Sequence, residues 1–137
     1  LVRSSMRNIN FHVNVGGSLE DDNVTLPEVN NIPNPSFEST PAYGIITRNT
    51  TNLKMSNVNL TYEGEDKRSA IIFENGSNTI LNNLSVQSDG VLPAIKWYGG
   101  SKPYITNSSK TIENNIRSIS GNGSDIIELK NAVFGEN

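Results

Sequence analysis

Apolar and polar residues alternate in short runs along this chain, and one run keeps returning. It reads Gly44-Ile45-Ile46-Thr47-Arg48-Asn49, then Ala70-Ile71-Ile72-Phe73-Glu74-Asn75, then Ala94-Ile95-Lys96-Trp97-Tyr98-Gly99, then Ile126-Ile127-Glu128-Leu129-Lys130-Asn131. The starts at Gly44, Ala70, Ala94 and Ile126 are spaced by similar, slightly irregular intervals. A unit recurring in this way predicts stacked repeats, each burying its apolar face on its neighbours. A second alternation follows each of these runs a short way on: Leu53, Met55, Val58 and Leu60, then Leu81, Leu84 and Val86, with Ile112, Ile116 and Ile119 as a weaker third copy. Ile9, Phe11, Val13 and Val15 repeat it from an earlier unit. Helical periodicity is sustained nowhere, and Thr, Ile and Val fill the apolar sites, as strands prefer.

Stacking the copies predicts columns. Ile45, Ile71, Ile95 and Ile127 form one inward column, and Thr47, Phe73, Trp97 and Leu129 the next. Ile46, Ile72, Lys96 and Glu128 face outward, as do Arg48, Glu74, Tyr98 and Lys130. Each strand closes on Asn49, Asn75, Gly99 or Asn131, residue types that tolerate a left-handed backbone at a tight turn. Stacked asparagines can also hydrogen-bond up the stack. The expected fold is all-β: a right-handed parallel β-helix of about four to five coils, one single-stranded solenoid domain over residues 1–137. A β-sandwich would not return the same column residues in the same order. Residues 16–41 interrupt the repeat with Gly16-Gly17, Glu20-Asp21-Asp22 and prolines at 27, 33, 35 and 41, so a long loop leaves the helix body there.

Composition narrows the function more than it names it. Asn is the commonest residue, which suits many tight turns and opposes helix. Net charge is −3 with Lys and Arg scattered, so neither nucleic acid nor a membrane surface is an expected partner. There is no Cys, hence no disulfide frame and no thiolate metal site, and no apolar run of membrane-spanning length. The acidic runs Glu20-Asp21-Asp22 and Glu63-Gly64-Glu65-Asp66 are short and read as solvated loop charge. No clustered acidic column offers a Ca²⁺ site, and no cofactor or metal is implied.

Residues 26–86 carry a more specific pattern: Leu26-Pro27-Glu28, Pro41-Ala42-Tyr43-Gly44, Arg48, Asn57-Val58, Tyr62, Asp66, Arg68 and Ala70-Ile71-Ile72. This run resembles the late coils of glycoside hydrolase family 28, the polygalacturonase-type pectin-cleaving enzymes. It departs from the family at Asn49, where His is frequent, and at Ser69, where Pro is frequent. The resemblance implies a polysaccharide-directed β-helix working outside the cytoplasm, extracellular or periplasmic. It also implies hydrolysis with inversion by an acid and a base carboxylate across the sugar ring. The family's N-T-D, G-H-G and R-I-K motifs are missing here, and the one D-D, Asp21-Asp22, belongs to the acidic run read as solvated loop charge, so no catalytic residue is assigned. The only His, His12, faces outward by alternation.

The expectation is therefore the non-catalytic, C-terminal portion of such a hydrolase, truncated at its N-terminal end; a stand-alone carbohydrate-binding or structural β-helix is the alternative. Tyr43, Arg48 and Tyr98 are the candidate substrate contacts. Tyr43 begins its strand on the face that carries catalysis in the family. Arg48 either holds a uronate carboxylate or pairs with Glu74. Tyr98 either stacks on a sugar ring or is a plain exposed Tyr. Asp66 and Arg68 are expected to pair. An uncapped first coil leaves an open apolar end through which copies could self-associate.

Overall fold

The computed structural model describes residues 3–14, 16–23, 40–90, 92–109, 112, 116–120 and 125–126. They form nine strands: β1 (Ser4–Val13), β2 (Ala42–Arg48), β3 (Leu53–Tyr62), β4 (Ser69–Gly76), β5 (Ile80–Val86), β6 (Ile95–Gly100), β7 (Tyr104–Thr106), β8 (Ile116–Ser120) and β9 (Asp125–Ile126). One sheet runs β1-β3-β5-β7 and the other β2-β4-β6-β8-β9. Successive strands up to β8 thus alternate between the sheets, and every pairing is parallel except β8 with β9. Nearly all-β, with parallel strands in two sheets, the arrangement is compatible with a parallel β-helix.

The register carries the stacking argument. In the second sheet Ile45, Ile71 and Ile95 lie side by side, as do Thr47, Phe73 and Trp97, and Arg48, Glu74 and Tyr98. In the first sheet Met6, Met55, Leu81 and Ile105 stand in line, followed by Ile9, Val58 and Leu84, then Phe11, Leu60 and Val86. The step along the chain from Met55 to Leu81 equals that from Ile45 to Ile71. The next step shortens equally in both sheets, from Leu81 to Ile105 and from Ile71 to Ile95, so one rung of chain feeds both. The step from Met6 to Met55 is nearly twice as long as the one after it, and the excess is the insertion after β1.

The last rungs differ from the sequence expectation. Opposite Ile95 stands Ile116 rather than Ile127, so β8 supplies the fourth rung of that sheet. Ile116 and Ile119 therefore do not continue the Leu81–Val86 element; Tyr104–Thr106 does, with Ile105 opposite Leu81. The apolar run at 126–131 is the stronger motif, whereas the shortened step favours the nearer strand. Ile127 to Asn131, Val15, and most of the 16–41 interruption lie outside the described residues.

Asparagines make the corners. Asn8, Asn57, Asn83 and Asn107 have φ of 55°, 55°, 54° and 51°. Asn57 Nδ2 donates to Asn8 Oδ1 at 2.9 Å and Asn83 Nδ2 to Asn57 Oδ1 at 2.8 Å, while Asn107 Nδ2 reaches Asn82 Oδ1 at 2.7 Å. A left-handed residue in mid-strand resets the alternation, so the buried set of β3 runs Leu53, Met55, then Val58, Leu60, Tyr62. A second ladder joins Asn75 to Asn49 (3.3 Å), with Gly99 above them, and a third joins Asn78 to Asn52. Gly99 belongs there because its φ is +64° and a Cβ would lie 2.5 Å from Asn75 Oδ1.

Between the sheets sits one apolar cluster, including Met55, Leu60, Ile71, Phe73, Leu81 and Ile95. Each such side chain contributes about 1.5–3 kcal/mol by leaving water. The expectation that Ile46, Ile72 and Lys96 face solvent holds poorly. Ile72 and Lys96 are each 1 % exposed, and Ile72 lies outside the apolar cluster. Parallel strands are commonly covered on both faces, and the run Ser69-Ala70-Ile71-Ile72-Phe73 is buried throughout. At the other extreme, Phe11 on the edge strand β1 is 44 % exposed, although it lines up with the fully buried Leu60.

Candidate functional site

Of the three residues singled out in the sequence, Tyr43 is corrected by its surroundings. It is 5 % exposed, and its hydroxyl donates to the carbonyl oxygens of Leu60 (3.1 Å) and Gln87 (2.7 Å). Its ring meets Tyr62 edge-on at 5.2 Å. Burial above all pushes its hydroxyl well above the ordinary tyrosine value. Tyr43 therefore ties successive rungs together and presents nothing to a surface ligand. Alternation back from Thr47 and Ile45, both in inward columns, already sets Tyr43 inward; only the resemblance had put it on a ligand face.

Arg48 and Tyr98 do share one column, with Glu74 between them. Arg48 Nε bonds Glu74 Oε2, and both side chains are about a quarter exposed (28 % and 26 %). Tyr98 is half-buried on the next rung and already engaged by a neighbour. Glu74 is the only carboxylate on β2, β4 and β6. Its charge is held by Arg48, and these three strands offer it no second carboxylate with which to form an acid–base pair.

The loops that follow β3 and β5 hold further ion pairs, Asp66 with Arg68 and Lys67 with Asp89 among them. Asp66 accepts from Arg68 Nε (3.0 Å), Nη2 (2.7 Å) and the Arg68 amide (3.0 Å), and Arg68 Nη1 continues to Thr40 Oγ1 at 3.1 Å. The pair is nearly sealed, at 0 % and 11 % side-chain exposure. Gly16 lies against the same loop, where a Cβ would fall 1.5 Å from the Glu65 carbonyl oxygen, and the Lys67 amide donates to Gly17 O at 2.9 Å. The start of the interruption thus packs on the neighbouring rung. Lys67 reaches Asp89 at 3.0 Å, which raises the lysine's pKa. Burial, with Asp89 behind it, raises that of Tyr62.

A third place goes unnoticed in the sequence. Arg3, Ser4, Ser5, Arg7, Asn52, Lys54 and Asn78 line an open groove of about 520 Å³. Pairing of β1 with β3 sets Ser5 beside Lys54 and Arg7 beside Ser56. Leu53 and Met55 point inward, so Lys54 and Ser56 point out, and Ser5 and Arg7 with them. Among the described residues none of the three cations makes an ion pair. Arg and Lys look scattered because Arg3 and Arg7 lie far from Lys54 along the chain. Aligning Ile9 with Val58, the register that the structure adopts, is the signal that could have found them.

His12 stays on the surface, hydrogen-bonded to Thr61 Oγ1 at 2.8 Å. Among the described residues no group of three or more His, Asp or Glu is placed to hold a metal ion. The described residues are thus of a parallel, two-sheet β class with a basic groove over β1 and β3. Comparison with protein-family models, curated proteins and solved structures returns no match.

Proposed function

We propose that this chain is a right-handed parallel β-helix, the non-catalytic late-coil portion of a family-28-like glycoside hydrolase acting on pectin-type polysaccharide outside the cytoplasm. The handedness follows the strong preference of parallel crossover connections. The pectin class rests on the resemblance of residues 26–86 to that family. The observation that carries the non-catalytic part is Glu74, the one carboxylate on β2, β4 and β6, neutralised by Arg48. The other resemblance residues do packing work that a late coil needs: Tyr43 bridges two carbonyls, and Asp66 fixes Arg68. The same lack of a carboxylate pair fits a stand-alone carbohydrate-binding or structural β-helix; N-T-D, D-D and G-H-G encoded upstream in the reading frame would decide for the hydrolase.

Calorimetric titration with oligogalacturonides tests the reading. The expected result is binding at millimolar ligand with no new reducing ends released. No binding at that concentration overturns the polysaccharide assignment, and hydrolysis by this chain overturns its non-catalytic character.

A further inference from the structure

The groove on the outer side of β1 and β3 holds cations that the fold itself does not use. Asp66 and Arg68 close a rung, and Arg48 meets Glu74. By contrast Arg3, Arg7 and Lys54 converge with no carboxylate in the lining. Their placement is staggered across two adjacent strands. Lys54 is level with Ser5, which lies two positions after Arg3 and two before Arg7. At ~3.3 Å per strand residue the three cations are staggered at about 6–7 Å intervals along the strand axis. Positive charges at regular steps along the strand axis match a chain carrying regularly spaced negative ones.

The rest of the lining selects among such chains. Asn52 and Asn78, already stacked at the corner, and Ser4 and Ser5 offer neutral donors and acceptors suited to hydroxyls. No aromatic ring lines the groove, so unpaired bases find no stacking platform. Arginine's planar fork fits a carboxylate, as it fits a phosphate, in two parallel hydrogen bonds, and the hydroxyl-matching lining favours the sugar acid.

We propose that the groove formed by Arg3, Arg7 and Lys54 binds the carboxylates of a linear uronate-bearing polysaccharide laid along β1. This deepens the pectin reading but does not depend on which uronic acid is present.

The test uses the full chain and four probes: an oligogalacturonide, its methyl-esterified form, an alginate oligomer and a single-stranded oligonucleotide. The triple variant Arg3→Gln, Arg7→Gln, Lys54→Gln is compared with Lys102→Gln, an exposed cation outside the groove, after circular dichroism shows both folded. The groove predicts that the triple variant loses roughly tenfold or more in carboxylate binding, that Lys102→Gln does not, and that methyl esterification of the ligand mimics the triple variant. If oligogalacturonide binds the wild type and the triple variant equally, the groove is overturned while the pectin reading stands. If alginate binds through the groove and oligogalacturonide does not bind, the groove stands and the pectin reading falls. Tighter, groove-dependent binding of the oligonucleotide, or no binding of any carboxylated glycan, overturns the proposal.

Discussion

The loop that closes the β3 rung and the groove over β1 and β3 treat charge in opposite ways. Around Asp66 the carboxylate and the Arg68 guanidinium are partnered inside the molecule, and the carboxylate is sealed from water. Around Arg7 three cations share an open groove without a counter-charge from the described residues. Buried charge must be matched at once, because leaving it alone in a poor dielectric is costly. Exposed charge can wait for a ligand, because water and salt hold its self-repulsion down. The two regions therefore separate charge that builds the fold from charge available for binding.

The contrast breaks most sharply at Asp66. Asp66→Ala strands the Arg68 guanidinium and should cost about 3–5 kcal/mol in urea unfolding. Adding Arg68→Met should recover much of that loss; if the single variant is nearly neutral, the pair is not the tie described here.

Tyr43→Phe is a milder cut on the same side. It leaves the Leu60 and Gln87 carbonyls without that donor, a loss of about 1–2 kcal/mol. It should also change the alkaline limb. The folded-state pKa of Tyr43 is raised above its ordinary value near 10. Its stabilising contribution is accordingly complete below about pH 10 and is lost as pH climbs from there toward the folded value. The phenylalanine variant should lack that component of alkaline destabilisation and keep the one from Tyr62. Parallel pH profiles for the two proteins would place the Tyr43 hydroxyl in water.

The smallest effect belongs to the groove. Two unit charges ~8 Å apart in water repel by about 0.5 kcal/mol before screening. Arg7→Gln should therefore stabilise the free protein by a few tenths of a kcal/mol at low ionic strength, and the gain should vanish near physiological salt. Destabilisation at low salt would mean that Arg7 has a structural counter-charge, and the two regions would no longer differ.

Much of the stack is legible because apolar spacing survives translation into register. Ile45, Ile71 and Ile95 align from their neighbours alone, as do Arg48, Glu74 and Tyr98, and the turn asparagines are marked by their backbone tolerance. The corner at Asn57 is harder to see. It lies between apolar residues, and its left-handed φ shows in the sequence only as a skipped beat between Met55 and Val58. The last rung misleads because rung length shrinks toward that end, and a pattern match cannot weigh a shorter step against a stronger motif.

The candidate site is less legible for a related reason. Alternation says which side of a strand a residue takes, not whether that side meets water, so Lys96 and Ile72 read as surface and are buried. By itself the order of residues determined periodicity, corner chemistry and the parallel all-β class, since each depends on spacing along one strand or turn. Which charges are quenched and which converge was decided only by tertiary packing, because that depends on segments as distant along the chain as Ser5 and Lys54 coming to lie one strand spacing from each other.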